Sequence, residues 1–234
     1  MKIALLGYGK MGKVIEKIAL ERGHEIVLKK TDSNSFENLL NADIAIDFSI
    51  PDAAFINISE CLNNNIPIIS GTTGWLNNYS KIEQLCNEKK GSFIYSSNFS
   101  LGVNLFFKLN ENLAKMMRKF SQYSVSMQEI HHTQKLDAPS GTAISLANQI
   151  IENSEYQDWT LNQNTLPNEI YIDAQRIENI PGTHSVNYNS DVDSIEIIHT
   201  AHNREGFALG AVIAAEWLVG KKGIFTMKDV LELN

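Results

Sequence analysis

Several features that whole classes of protein depend on are scarce in this chain of 234 residues. It has only 2 cysteines, Cys61 and Cys86, which excludes a disulfide framework and favours a reducing compartment. No apolar run approaches the roughly 20 residues that cross a bilayer. The N-terminal apolar stretch breaks at Gly7, unlike a signal peptide. We therefore expect a cytoplasmic protein that does not contact a membrane.

Positive charge is also in short supply. The chain carries 20 Lys and Arg against 27 Asp and Glu, a formal net charge of −7, which argues against a nucleic-acid partner. An anionic substrate would therefore have to be attracted by a local cluster of cations. The hydrophobic content of 43% and charged content of 20% are typical of a globular protein with one large or two modest domains.

A G-x-G-x-x-G motif follows the first predicted strand. The apolar run Ile3–Leu6 is typical of a strand buried on both faces. After the glycines we predict a helix over Lys13–Arg22 and a strand over Glu25–Leu28. This order, with an acidic residue about 20 positions further on, indicates a dinucleotide site more strongly than a simple glycine turn. The predicted cofactor residues here are Gly7, Tyr8, Gly9, Lys10, Met11, Gly12 and Asp32.

Each residue type of the motif has a physical task. Gly7 allows a tight turn, Gly9 lets the backbone approach a pyrophosphate, and Gly12 lets the helix pack closely on the strand. Asp32 would accept hydrogen bonds from the adenine ribose, which favours NADH. Lys29 and Lys30 could instead meet the 2′-phosphate of NADPH or simply form a solvated strand end, so the choice of cofactor stays open.

Strands and helices continue to alternate up to residue 102. Further strands are predicted over Ile44–Ser49, Pro67–Ser70 and Ser92–Tyr95, with helices from Pro51 and over Asn77–Lys89. This alternation predicts an α/β, Rossmann-type doubly wound parallel sheet, whose ligands bind at the carboxyl ends of the strands. Residues Gly71–Gly74 follow one such end, where contact with a nicotinamide is favoured over a plain loop.

The pattern changes after Gly102. A long helix is predicted over Val103–Phe120, with an inner face of Leu105, Phe106, Leu109, Leu113, Met116 and Met117. The strands predicted after it alternate apolar and polar residues and indicate a smaller α+β domain with an open mixed sheet: Tyr123–Ile130, Glu169–Ile177, Thr183–Tyr188 and Ser194–Thr200. An apolar helix over Ala208–Val219 would return to the first sheet. We thus expect a dinucleotide-binding domain of residues 1–102 and 205–234, a substrate-binding and oligomerisation domain of residues 103–204, and a cleft between them.

The strongest concentration of reactive groups lies in that second domain. His131, His132 and Lys135 precede a Pro-Ser-Gly-Thr turn, and a helix is predicted from Ala143 to Ile151. Pro139 and Ser140 favour a helix start, which would leave the N–H groups of Gly141 and Thr142 free to bind an anion. These cations and donors suit a small carboxylate or phosphate, although a surface His-His pair beside an ordinary turn is the alternative.

With both constellations in view, the chain resembles the 4-hydroxy-tetrahydrodipicolinate reductase (dihydrodipicolinate reductase) family over essentially its whole length. The resemblance rests on three motifs: His131-His132-x-x-Lys135-x-Asp137-Ala138-Pro139-Ser140-Gly141-Thr142-Ala143, Gly71-Thr72-Thr73-Gly74, and Ser97-Asn98-Phe99-Ser100-x-Gly102-Val103. It implies NADH- or NADPH-dependent reduction of a ring dicarboxylate in the diaminopimelate route to lysine, with hydride delivered to C4. It also implies a homotetramer formed through the sheet of the second domain.

The resemblance assigns roles to individual positions. His131 and Lys135 match the catalytic pair, with Lys135 as proton donor. His132 matches a substrate contact, and the turn residues Ser140, Gly141 and Thr142 match the substrate-carboxylate site. Besides the glycine motif and Asp32, the cofactor positions are Gly71, Thr72, Thr73, Ser96, Ser97, Asn98, Phe99 and Arg204. The short glycine turn, with Lys10 where arginine is common, bears on the choice of cofactor.

Three other readings compete. An oxidoreductase acting on another amino-dicarboxylate, such as an aspartate-type dehydrogenase, does not require the His-His-x-x-Lys run. A silent nucleotide-sensing protein would have no reason to keep His131, Lys135 and the Gly141 helix end together. A metal site made by His131, His132, His199 and His202 lacks cysteines or carboxylates at ligand spacing, so no metal is expected.

Overall fold

The computed structural model describes residues 1–31 and 35–233, so Asp32 lies outside the described residues. The helices and strands in chain order are β1 Lys2–Leu6, α1 Lys10–Glu21, β2 Glu25–Lys30, β3 Ile44–Asp47, α2 Pro51–Asn63, β4 Ile68–Ser70, α3 Tyr79–Glu88, β5 Ser92–Tyr95, α4 Leu101–Met117, β6 Ser124–His131, α5 Gly141–Ile151, β7 Asp158–Thr160, β8 Glu169–Arg176, β9 Gly182–Asn189, β10 Ser194–Ala201, α6 Glu205–Leu218, β11 Gly223–Phe225 and α7 Met227–Val230.

The described chain divides into two compact units. The first unit comprises residues 1–104 and 204–234, and the second comprises residues 105–203. Within the described ranges, no helix combines the length and the hydrophobicity needed to cross a membrane.

The first unit contains the predicted Rossmann-type sheet. Its described strands are all parallel and follow the order β11-β5-β4-β3-β1-β2. The strand order reverses at β1, which pairs with both β2 and β3, and the carboxyl ends of the central strands therefore share one edge of the sheet. The doubly wound prediction is confirmed.

Both faces of this sheet are buried, which explains the continuous apolar runs in its strands. On β1, Ile3 and Leu5 belong to the core that includes α1 and α6, whereas Ala4 and Leu6 belong to the core that includes α2 and α3. The small residues of α6 are fully buried against the first of these cores. The prediction that this helix returns to the first sheet is confirmed.

The second unit has a mixed sheet in the order β10-β9-β6-β8-β7. Strand β9 is antiparallel to β10 and β6, whereas β6 and β8 are parallel. Side chains of α4 and α5 join alternate residues of the strands in one core, which includes Val125 and Met127 of β6. The predicted mixed sheet is confirmed, and the alternation places Glu129 and His131 on the same buried side as Met127.

The inner face predicted for α4 is partly wrong. Phe106, Leu113 and Met117 are buried as expected, but Leu105, Leu109 and Met116 are 50–60% exposed. The helix is apolar on more than one side, and periodicity alone does not show which side meets the core. Strands β7 and β11 and helix α7 were not predicted, because three or four residues are too few for a periodic pattern.

Candidate active site

The glycine turn after β1 has the geometry that its sequence predicts. Gly7 adopts φ +95°, and a Cβ there would lie 2.2 Å from the carbonyl oxygen of Phe48. A Cβ at Gly12 would lie 2.4 Å from the Gly7 carbonyl oxygen, so both positions require glycine. At Gly9, in contrast, a Cβ would meet no atom within 4 Å, so no described residue fills the space beside its Cα.

Helix α1 begins inside the motif, at Lys10 rather than at the predicted Lys13. Its N-cap Gly9 makes no side-chain capping bond. The first N–H groups of the helix, those of Lys10, Met11 and Gly12, have no acceptor within the helix by its geometry. An open approach beside free N–H donors at the positive end of a helix dipole fits a pyrophosphate, so the residues present suit a dinucleotide.

Side chains near this turn contact the two lysines at the end of β2, Lys29 and Lys30. The Tyr8 hydroxyl donates to the Glu16 carboxylate, and Lys29 Nζ lies 2.5 Å from Glu16 Oε1 and 5.1 Å from the centre of the Tyr8 ring. Hydrogen bonds from Lys29 and then Tyr8 lower the pKa of Glu16. Lys29 is therefore already paired with a carboxylate. The side chain of Lys30 lies over the Phe36 ring, 4.9 Å from its centre.

A buried carboxylate, Asp47, organises the neighbouring strand ends. Its Oδ1 accepts hydrogen bonds from Ser49 Oγ (2.7 Å) and Asn57 Nδ2 (2.9 Å), and its Oδ2 accepts from Ser70 Oγ and Thr72 Oγ1 (both 2.8 Å). Burial raises the pKa of Asp47, and these four donors oppose that shift. Sequence reasoning missed Asp47, although an aspartate at the end of an otherwise apolar strand was a signal.

The Asp47 cluster positions one predicted cofactor residue, Thr72, whose Oγ1 also accepts from Ser49 N–H (2.8 Å). Thr73 is exposed beside it. At Gly71, a Cβ would lie 2.3 Å from the Phe48 ring, so the turn packs tightly against the residue that follows β3. This part of the sequence prediction lies where expected, at the carboxyl edge of the sheet.

The predicted cofactor residues after β5 form a compact turn. Ser96 Oγ donates to Asn98 O (2.7 Å), and Asn98 Oδ1 accepts from Ser100 N–H (2.9 Å). Phe99 is buried with its ring centre 5.8 Å from that of Phe48, and Ser97 is exposed. Arg204 is exposed at the N-cap of α6, also within the first unit.

The proposed catalytic pair lies in the second unit, where β6 ends. His131 is the last residue of β6, and a turn closed by Lys135 N–H to His132 O (3.1 Å) follows it. Lys135 Nζ is 2.9 Å from Asp137 Oδ2, and hydrogen bonding from Lys135 lowers the pKa of that carboxyl group. Among the described residues, His131 Nδ1 and His132 Nδ1 are buried without a hydrogen-bond partner.

The turn that follows starts a helix as predicted. Ser140 is the N-cap of α5, and its Oγ accepts from Ala143 N–H (3.2 Å). The helix begins at Gly141, two residues before the predicted start, and a Cβ at Gly141 would meet nothing within 4 Å. The N–H groups of Gly141 and Thr142 have no acceptor within the helix. This arrangement can receive a carboxylate.

Three residues that the sequence reasoning missed lie directly beneath this site. Glu129 is fully buried, and it contacts Arg176 (3.0 Å) and the Ser140 N–H (2.9 Å). Burial would raise the pKa of Glu129, but hydrogen bonds from Ser140 and Arg176 outweigh it and lower that pKa. Burial also lowers the pKa of His184 to about 4.

The pKa of His131 is lowered as well, first by burial. The positive charges of Lys135 and Arg176 lower it further, whereas the negative charges of the Glu129 and Asp137 carboxylates oppose the shift. His131 is therefore neutral at neutral pH and can accept or relay a proton.

Comparison with known proteins covers the whole chain. Residues 1–99 match the family description "Dihydrodipicolinate reductase, N-terminus", and residues 102–231 match "Dihydrodipicolinate reductase, C-terminus". The 4-hydroxy-tetrahydrodipicolinate reductase of Christiangramia forsetii is 57% identical over 234 residues, which cover 99% of this chain and 98% of the relative. The enzyme of the same name from Thermosipho africanus is 35% identical with the same coverage.

A solved structure shares the fold. The dipicolinate-bound dihydrodipicolinate reductase from Paenisporosarcina sp. TG-14 superposes with a TM-score of 0.75 at 21% identity, covering 97% of each chain.

Proposed function

The chain belongs to the dihydrodipicolinate reductase family, and we propose that it reduces 4-hydroxy-tetrahydrodipicolinate (dihydrodipicolinate) to tetrahydrodipicolinate in the diaminopimelate route to lysine. NADH or NADPH supplies the hydride when bound. The observation that carries the proposal beyond the family match is the convergence of His131, the Lys135–Asp137 pair and the start of α5 in the second unit.

The first unit supplies the cofactor site. The free N–H groups at the start of α1 would hold the pyrophosphate, and the absent side chain of Gly9 lets it approach. Thr72 and the Ser96–Phe99 turn would contact the nicotinamide end at the strand ends. Asp32 would contact the ribose, and Arg204 remains a proposed cofactor contact.

The second unit supplies the substrate site. We assign one substrate carboxylate to the Ser140 hydroxyl and the N–H groups of Gly141 and Thr142, and a further contact to His132. In the dihydro form of the substrate, from which the C4 hydroxyl group has left as water, adding hydride at C4 of the conjugated ring displaces electron density toward the ring nitrogen. The Lys135 ammonium would protonate the developing anion, and Asp137 would hold that ammonium before substrate arrives.

The second group in the proposed proton transfer is His131. Since its pKa is lowered, it is neutral and able to relay a proton to Lys135 after turnover. Its position at the end of a buried strand fixes the imidazole while the Lys135 side chain, 23% exposed, can turn toward the substrate.

The test is oxidation of NADH or NADPH with freshly generated product of dihydrodipicolinate synthase. Wild-type protein should oxidise the cofactor, and Lys135→Ala should lower kcat by about 10²–10⁴-fold with little change in cofactor affinity. Lys119→Ala, which removes an exposed lysine of the same unit, is the matched control. Near wild-type turnover by Lys135→Ala would refute the role of Lys135, and absence of wild-type turnover would refute the function.

We also propose a cytoplasmic homotetramer assembled through the sheet of the second unit. The edge strand β10 carries exposed apolar residues, among them Ile198 at 58% exposure, and α4 exposes Leu105, Leu109 and Met116. Burial of such residues between subunits would stabilise an assembly. Light scattering after size-exclusion chromatography should give a mass of four chains.

A further inference from the structure

A buried ion pair lies beneath the proposed substrate site. Glu129 of β6 is fully buried, and its Oε1 lies 3.0 Å from Arg176 Nη2 at the end of β8. These strands are parallel neighbours, and their register sets Arg176 opposite His131. A carboxylate without any exposed surface needs hydrogen bonds and an opposite charge to compensate for its lost hydration, so its partners must keep their positions beside it.

Arg176 holds the loop that carries the proposed proton donor. Its guanidinium donates to the carbonyl oxygens of Lys135 (3.3 Å) and Asp137 (2.5 Å) in addition to Glu129. The backbone of both partners in the Lys135–Asp137 ion pair is therefore tied to the same side chain. A planar fork of five donors can make these three contacts at once, whereas a lysine ammonium cannot reproduce their geometry.

The other carboxylate oxygen of Glu129 holds the helix start. Oε2 accepts from the Ser140 N–H (2.9 Å) and lies 3.7 Å from both His131 Nδ1 and His184 Nε2. The ion pair thus connects the proposed proton donor, the imidazole of His131 and the carboxylate-binding turn.

His184 acts on the Ser140 hydroxyl. Its Nε2 lies 3.1 Å from Ser140 Oγ, which already accepts from Ala143 N–H. The nearby Glu129 carboxylate favours a hydrogen on Nε2, which then donates to Ser140 Oγ. Two incoming hydrogen bonds occupy both lone pairs of that oxygen, which leaves the hydroxyl hydrogen to donate to an anion.

We propose that Arg176, Glu129 and His184 are positioning residues for the reaction: Arg176 sets the place of Lys135, and His184 sets Ser140 as a donor to the substrate carboxylate. This inference rests on the proposed function of those two residues. Glu129, His131 and His184 also lie close enough together to suggest a metal site. That reading is less favourable, because Arg176 and the Ser140 N–H already occupy the carboxylate.

The test separates the two roles. Arg176→Lys keeps a charge beside Glu129 and should lower kcat about 100-fold, while Kd for NADH stays unchanged. Arg118→Lys, at an exposed arginine of the same unit, is the matched control. His184→Phe removes the donor to Ser140 and should raise Kd for dipicolinate, a stable dicarboxylate probe, about ten-fold. His184→Gln, whose amide can donate as Nε2 does, should restore most of that affinity.

Each outcome decides the proposal. Wild-type kcat in Arg176→Lys, or unchanged dipicolinate affinity in His184→Phe, would overturn the corresponding half. Equal losses of NADH and dipicolinate affinity would indicate a structural role only and would also overturn it. If Arg176→Lys does not fold, Arg176→Gln, whose amide can still donate to a carbonyl oxygen of the loop, is assayed in its place, and wild-type kcat in that variant would overturn the Arg176 half. A failure confined to these variants leaves the proposed function intact, because Lys135→Ala tests that function separately.

Discussion

Removing the Asp47 carboxylate should destabilise the first unit and weaken cofactor binding at the proposed site. In Asp47→Ala, four donors lose their acceptor, namely Ser49, Asn57, Ser70 and Thr72. The hydroxyl groups can partly re-pair, since Ser49 Oγ and Thr72 Oγ1 are 3.5 Å apart, and Asn57 Nδ2 keeps Ser49 Oγ as an acceptor. About two donors should remain unsatisfied at about 1–3 kcal/mol each, which with about 1 kcal/mol for the cavity gives a loss of about 3–7 kcal/mol.

The assay is urea denaturation, with Asp52→Ala as the matched control. Asp52 is exposed in the first turn of α2, where its removal should cost only about 0.3–1 kcal/mol. Asp47→Asn keeps one acceptor oxygen and should lose less stability than Asp47→Ala. Because Thr72 and Ser49 lose their anchor, the folded variant should also bind NADH more weakly in a fluorescence titration. Equal unfolding midpoints for Asp47→Ala and Asp52→Ala would refute this reasoning.

Three further outcomes are expected. Gly7→Ala should prevent stable folding, because the new Cβ would overlap the Phe48 carbonyl oxygen. The control Gly23→Ala, also at positive φ but in open space, should lower the free energy of unfolding by only about 1 kcal/mol. Similar melting temperatures of the two variants would contradict this expectation. Asp32→Ala should raise the Kd of NADH more than that of NADPH, and equal losses would argue against the ribose contact. Burial lowers the pKa of His184 from 6.5 to about 4, so between these pH values the unfolded state binds a proton that the folded state does not. The free energy of unfolding should therefore fall by up to about 3 kcal/mol as the pH is lowered through that window. His184→Gln should reduce this pH dependence in urea titrations at pH 7 and pH 4, and an unchanged pH dependence would show that His184 is not its source.

The elements of the first sheet were predictable because burial on both faces leaves a strong local signal. The run Ile44–Asp47 is apolar up to its last residue and is bounded by a helix that begins at Pro51. Strand β2 was predicted too short, because it lies at the sheet edge, where Lys29 and Lys30 can keep their charges solvated or paired. An edge strand tolerates charged residues that a pattern search reads as a strand end.

The pairing of the residues beneath the proposed substrate site could not be predicted from the sequence. Glu129 and Arg176 are far apart along the chain and meet only through the parallel pairing of β6 and β8. The register of β6 did carry a signal, because Glu129 lies two residues from Met127 and two from His131 on a strand that alternates buried and less buried residues. A glutamate in a buried register position implies a partner, but not which one.

The discontinuity of the first unit has a consequence for how the chain matures during translation. A nascent chain that has emerged only to residue 104 has α1 but lacks α6, so the core around Ile3 and Leu5 of β1 would be only partly covered. The second unit, in contrast, is one uninterrupted stretch and can close as soon as residue 203 leaves the ribosome. The half of the protein that is made first is therefore the half that is completed last.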